Sequence, residues 1–175
     1  ARLNFKLKRF WFALMLGTMM LPTHVTLIPQ YVIFFNLGWI NTFLPLVVPT
    51  FLAHDAFFIF LMVQFIRGIP RELDEAAMID GAGVFGIYWR VVLPLMAPAL
   101  ITTAIFTFIW TYEDFLLPLV YLSDMNLYTV PLGLRLFMAA AGDSAWGPLL
   151  AMSLASLVPL IVGTIGGFLA WSSVD

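Results

Sequence analysis

The sequence predicts an all-α integral membrane protein with four transmembrane helices and a cytoplasmic, L-shaped helix pair between the second and the third. Three observations carry that expectation. Of the 175 residues, 62% are hydrophobic and only 10% charged, where a soluble domain runs nearer half apolar and a quarter charged. The apolar residues gather into four stretches, each near the roughly 20 residues that a bilayer requires. The one long polar interruption, IPRELDEAAMIDGAGVFGIYWRVVLPLMAP at residues 69–98, is patterned as helix, turn and helix.

Residues 1–9 (ARLNFKLKR) are basic and lead into an apolar run. No small-residue cleavage site follows, so the run reads as a retained membrane segment. The first span covers about 10–35 and is broken, because Pro22 and Pro29 each delete a helical hydrogen bond. A helix is expected from Phe10 to about Leu21, with irregular backbone beyond it. Asn36, Gly38, Trp39, Asn41 and Thr42 make the next turn, an external loop over 36–43 with Trp39 suited to the interface. The second span, 44–66, has Pro45 and Pro49 near its start, where proline is tolerated. A polar segment, 67–92, separates it from a third span at 93–117, opened by Pro94 and Pro98 and closing on Tyr112, Glu113 and Asp114. The polar segment 123–147 carries Asp124, Asn126, Arg135, Asp143 and Trp146, with a short helical pattern around Leu132 to Ala140. The last span, 148–171, holds Pro159 as a kink and Gly163, Gly166 and Gly167 as small residues that admit a neighbouring helix. One transmembrane domain, 1–175, accounts for the chain, and no internal repeat is visible.

Orientation follows from the basic residues. Arg2, Lys6, Lys8 and Arg9 precede the first span, and Arg67, Arg71 and Arg90 lie between the second and third. Four spans place both groups on one side and leave only Arg135 on the other, which makes the first side cytoplasmic. Segment 67–92 is then cytoplasmic, and 36–43 and 123–147 are external.

Within the polar segment, Pro70 followed by Arg71, Glu72, Asp74 and Glu75 reads as a helical first turn, with acids against the positive end of the dipole. Gly81 falls where a helix ends in a left-handed residue. After Gly83 a second helix begins, with Phe85, Tyr88, Trp89 and Val92 along one apolar stripe. An amphipathic pair of this kind needs a cover. Helices that lie on lipid are usually rich in Lys and Arg, whereas this stretch sets Glu72, Asp74, Glu75 and Asp80 against Arg71 and Arg90. The balance favours docking into a protein partner.

Glu75-Ala76-Ala77, then Gly81, then nine residues to Val91, Val92, Leu93 and Pro94 resembles the EAA motif of ABC importer permeases. LIPQYVIFFNLGWINT, QFIRGIPRELDEAAMIDGA, VVLPLMAPAL and YTVPLGL likewise resemble the permease subunits of carbohydrate importers of the maltose-transporter type. The resemblance covers roughly residues 1–170, with several motifs in order at the family's spacing. Family members usually carry two more spans ahead of this point, so the match is to the C-terminal two-thirds of a subunit. The family's usual Trp-Asn-Asp-Phe is Tyr112-Glu113-Asp114-Phe115 here.

The resemblance implies a multi-pass subunit of a bacterial or archaeal cytoplasmic (inner) membrane. It would pair with a second permease, with two cytoplasmic ATPase subunits and with an extracytoplasmic solute-binding protein. The EAA segment would be the coupling helix seated in the ATPase, with Glu75, Ala76, Ala77, Asp80, Gly81, Leu93 and Pro94 carrying or supporting the docking. The solute would be a sugar or a related small molecule. The alternative is a truncated, non-transporting membrane subunit that keeps only the docking loop.

Candidates for a solute path are Asp55, in the middle of the second span beside His54, and Trp110, Tyr112 and Glu113 in the third. Ionisable groups at membrane depth often face a cavity, although a helix-to-helix hydrogen bond explains His54 and Asp55 equally well. Asp114 and Glu113 also suit a water boundary, and membrane aromatics are more often packing than sugar platforms. No metal is expected, since His24 lies in another segment and no third ligand is evident. The chain has no cysteine, no GxxxxGK[ST], no HExxH and no GxSxG, so it is read as a transport subunit and not an enzyme. No cofactor is expected on the chain itself; ATP and magnesium would sit on partner subunits.

Overall fold

A computed structural model describes residues 2, 4–52, 55–141 and 146–172. Helices follow one another along the chain: α1 (Lys8–Thr18), α2 (Thr23–Asn36), α3 (Leu44–Phe51), α4 (Ala56–Gly68), α5 (Glu72–Ile79), α6 (Val84–Ile87), a π-helical turn (Tyr88–Val92), α7 (Leu93–Leu95), α8 (Ala97–Glu113), α9 (Leu116–Tyr121), a 3₁₀ turn (Met125–Leu127), α10 (Val130–Ala141) and α11 (Trp146–Ser172). No strand occurs among the described residues. By length and composition, Leu44–Gly68 and Trp146–Leu169 can each cross a membrane. The count rises to four if α1 with α2, and Val84–Leu95 with α8, are each one broken span.

Two compact units share the chain. The first comprises 1–20, 55–104 and 167–175, the second 21–54 and 105–166. In the first, α1 lies along α4: Phe12 stacks on Phe60 at 6.2 Å, and the Arg67 guanidinium sits 5.1 Å over the Phe12 ring. A small core of Ile69, Val92 and Met96, packed by Met62, Ile66 and Ile87, joins the end of α4 to the π turn. In the second unit Tyr121 is the centre, 1% exposed, edge-on to Phe34 at 5.4 Å and stacked on Tyr31 at 6.3 Å.

Several helices differ from the pattern expected of their sequence. The backbone beyond Leu21 is helical, not irregular: Pro22 caps α2 in an extended conformation and Pro29 lies inside the helix. A lone interior proline removes one donor and kinks a helix without having to end it. The segment expected as the second span, 44–66, falls within the candidate span Leu44–Gly68; it carries α3 and α4, and Asp55, with φ −91° and ψ 96°, is the N-cap of α4. His54 and Asp143 lie outside the described residues. The helix expected to run from Leu93 to Leu117 begins earlier, bends by 67° between Leu95 and Ala97, and stops at Glu113. It stops there because the Asp114 carboxylate accepts from the Leu117 amide at 3.3 Å, starting α9 anew. The helical pattern around Leu132 is present as α10, and it is apolar enough to bury Leu132.

Candidate functional site

The 69–98 segment is built as its sequence suggests. Glu72, Asp74 and Glu75 occupy the first turn of α5, where three carboxylates meet the positive end of the helix dipole. The helix ends at Ile79, and Gly81 takes φ +81°. Its amide donates to the Met78 carbonyl at 3.0 Å, and the Ala82 amide donates to the Ala77 carbonyl at 2.9 Å. That pair of bonds is a Schellman cap, in which the left-handed residue is glycine because any Cβ raises its energy. Gly83, extended at φ −72° and ψ 172°, then starts α6, its carbonyl accepting from the Ile87 amide at 2.9 Å.

Burial sorts the segment into an anchored base and an open rim. Ile69, Val92 and Met96 are buried together, and Leu93 is half-buried while Pro94 is exposed. Glu75, Ala76, Asp80 and Gly81 face out, with Ala77 half-buried. Around Gly81 the apolar residues are open as well: Ile79 is 86% and Phe85 82% exposed. Of the apolar stripe only Val92 is buried within the chain, at 4%, while Phe85, Tyr88 and Trp89 are exposed, so this edge has no cover from the chain's own described residues. Its second half, Tyr88–Val92, is a π-helical turn.

Arg2 holds this segment from the chain's start. Its Nη2 donates to the Ile69 carbonyl at 2.7 Å, and its Nε lies 3.3 Å from Asp74 Oδ2 without the geometry of a hydrogen bond. A residue counted in the sequence only for its topological charge thus fixes where α5 begins.

Three of the candidate solute-path residues lie on one helix. Trp110, Tyr112 and Glu113 share the last turn of α8, with Trp110 and Glu113 exposed and Trp110 tilted on Phe106 at 6.0 Å. Tyr112 stacks on Phe108 at 5.9 Å, and its hydroxyl donates to the Ser156 carbonyl of α11 at 2.7 Å. Asp55 belongs to the other unit, where its Oδ1 accepts from the Phe57 amide at 3.0 Å. It is a helix cap. Tyr112→Phe is expected to lower thermal stability in detergent by about 0.5–1.5 kcal/mol, the net value of one hydrogen bond, and to leave the solute KM unchanged. A raised KM at unchanged stability would return Tyr112 to the solute path.

Asn41 was not singled out by sequence beyond its turn, yet it ties two loops of the second unit. It sits at φ +61°, its amide donates to the Tyr121 carbonyl at 2.8 Å, and its Oδ1 accepts from the amides of Ser123 at 3.0 Å and Asp124 at 2.8 Å. Asparagine tolerates the left-handed region better than other chiral residues and brings the acceptor with it. The signal was its place beside Gly38 in a turn. Asn41→Leu is expected to destabilise by about 2–4 kcal/mol, from two unmet amides and a left-handed strain. Asn41→Asp keeps the acceptor and is expected to stay near the parent in thermal unfolding; equal melting of the Leu variant would refute the tie.

Comparison with known proteins places the chain in a family. The family described as binding-protein-dependent transport system inner membrane component matches residues 1–169. Relatives include the probable ABC transporter permease protein YurM of Bacillus subtilis, 38% identical over 93% of this chain and 54% of that protein. The arabinooligosaccharides transport system permease protein AraQ of Halalkalibacterium halodurans is 34% identical over 91% of the chain and 56% of its own length. The trehalose/maltose transport system permease protein MalG of Thermococcus litoralis is 34% identical over 93% and 58%. The chain thus spans somewhat more than half the length of these relatives. With a match that runs from its first residue nearly to its last, the chain belongs to the family of binding-protein-dependent transport system inner membrane components.

Proposed function

We propose that the chain is a membrane-spanning permease component of an ATP-driven importer in a bacterial or archaeal cytoplasmic membrane, and that its solute is a sugar or a related small molecule. The relatives named for arabinooligosaccharides and for trehalose and maltose support the solute class. In this reading the bilayer is crossed four times, over about 10–35, 44–66, 93–117 and 148–171, with 67–92 in the cytoplasm. Glu75, Ala76, Ala77, Asp80 and Gly81 meet a partner ATPase, and Leu93 and Pro94 pass its motion to α8. Trp110 and Glu113 remain candidates for the solute path. ATP and magnesium belong to the partner subunits, and solute arrives from an extracytoplasmic binding protein through a path shared with a second permease.

The observation that carries the reading is the acidic helix α5, capped at Gly81, whose rim is open at Ile79 and Phe85 while its base is locked by Ile69, Val92 and Met96. An exposed apolar rim on a rigid base is what a helix needs to seat in a groove and transmit a push. Reconstitution with a candidate partner ATPase, second permease and binding protein tests this. Binding-protein-stimulated ATP hydrolysis together with solute uptake is expected. ATPase binding without flux would leave the docking role and support a non-transporting subunit; no ATPase binding would remove both.

A further inference from the structure

The joint between α4 and α5 is spanned by a side chain from ahead of α1. Ile69, Pro70 and Arg71 separate the two helices, and Ile69 closes α4 in an extended conformation at φ −72° and ψ 128°. Helix ends leave carbonyls without partners, and the Ile69 carbonyl belongs to a residue only 8% exposed, where a missing donor is costly. Arg2 Nη2 supplies that donor at 2.7 Å. On the far side of Pro70, Arg2 Nε lies 3.3 Å from Asp74 Oδ2, with the two side chains 21% and 15% exposed. Asp74 is the one acid in the first turn of α5 that turns inward; Glu72 and Glu75 are exposed. The dipole of α5 draws all three acids alike, so the inward turn of Asp74 reflects the guanidinium. One rigid planar group thus reaches both sides of the joint. Apolar packing does less to hold α5, since none of its residues is buried.

We propose that Arg2 is a positioning residue for coupling: by bridging the Ile69 carbonyl and the Asp74 carboxylate it holds α5 at a fixed angle to α4, so that motion imposed on α5 reaches α1 as well as α8. This role rests on α5 being the helix that meets an ATPase. Two routes then leave α5. One runs along the chain through Leu93 and Pro94 to α8. The other crosses from Asp74 to Arg2 and on to α1, which is laid along α4 by Phe12 on Phe60 at 6.2 Å and by Arg67 over Phe12 at 5.1 Å. With the bridge in place, a push on the rim at Ile79 and Phe85 is not lost in swivelling at the joint. Without it, α5 follows the ATPase and α1 does not. A pair this far out of water is screened little by salt, and a guanidinium that serves two acceptors is poorly replaced by an ammonium.

The test is made on vesicles holding the chain with a candidate partner ATPase, second permease and binding protein, in which ATPase association, ATP hydrolysis and solute uptake are measured together. Arg2→Gln and Asp74→Asn are each expected to keep ATPase association and to lower the solute carried per ATP hydrolysed about tenfold, equivalent to about 1.4 kcal/mol. A purely structural part for Arg2 changes how much complex is folded and leaves this ratio alone. Arg2→Lys is expected to fall between the parent and Arg2→Gln. The chain has no cysteine, so Arg2→Cys with Asp74→Cys can be bridged by a short bifunctional thiol reagent; the bridged pair is expected to recover the ratio and the unbridged pair to lack it. A ratio unchanged in either Arg2→Gln or Asp74→Asn, or a bridge that recovers nothing, overturns the role of Arg2 while ATPase association persists. A parent chain that binds no ATPase removes the docking reading itself, and the role of Arg2 with it.

Discussion

Gly81→Trp is expected to abolish solute uptake while the chain still folds and inserts. Two costs are separable at this position. The first is conformational: φ is +81°, and a chiral residue there loses roughly 1–2 kcal/mol. The second is steric and arises only in the assembly, because a Cβ built on Gly81 meets nothing within 4 Å in the chain itself. The added side chain has room in the free subunit and none once the rim of Ile79, Gly81 and Phe85 is pressed into a partner. Asparagine, which accepts the left-handed region, isolates the second cost at small volume. Gly81→Asn is therefore expected to keep most uptake, Gly81→Ala an intermediate level, and Gly81→Trp less than a tenth, since overpacking in an interface costs about 1–3 kcal/mol for extra methylenes and more for an indole, and about 1.4 kcal/mol is already tenfold in occupancy. Uptake and ATPase co-purification are measured on the same membranes. Normal uptake by the Trp variant sinks the docking role of this turn, and loss of uptake by all three in equal degree points to the cap and not to a partner.

The contrast between Gly81 and Asn41 shows what a sequence reveals of such a chain. Gly81 is legible because a left-handed helix end selects glycine locally, eleven residues after Pro70 and within nine of the acids that mark the helix start. Asn41 adopts nearly the same φ, yet the reason it is asparagine lies some eighty residues away, in the amides of Ser123 and Asp124. Local selection leaves a local trace; a tie between loops leaves none. The same holds for Arg2, which read as one more cytoplasmic cation and in fact braces Ile69 and Asp74. Asp55 carries a local signal of another kind: its short acceptor side chain and extended backbone make it the start of α4.

Gly163→Leu is expected to produce the largest loss of stability of any single change in the second unit. An ideal Cβ at Gly163 would lie 2.4 Å from Cε1 and 2.8 Å from Cζ of Phe108, so even alanine forces the ring or the backbone to move. The ring is not free to yield alone. It stacks on Tyr112 at 5.9 Å, and Tyr112 is bonded to the Ser156 carbonyl on α11, two helical turns before Gly163 on the same helix. A displaced Phe108 therefore pulls on the hydrogen bond that holds the two helices in register. Overpacking of this sort costs about 1–3 kcal/mol for a methyl group and more for an isobutyl, and close approach at small residues is a main source of helix association in membranes. Gly166, three residues on, has nothing within 4 Å of its Cβ position, so Gly166→Ala serves as a control of equal helix propensity change. Thermal unfolding in detergent is expected to rank Gly166→Ala near the parent, Gly163→Ala clearly below it and Gly163→Leu lowest. Adding Phe108→Ala to Gly163→Ala is expected to recover part of the loss, because it removes the atom that the new methyl strikes. A cycle with no coupling between the two sites, within the few tenths of a kcal/mol expected of independent positions, would show that α8 and α11 do not meet at Gly163 in the folded chain.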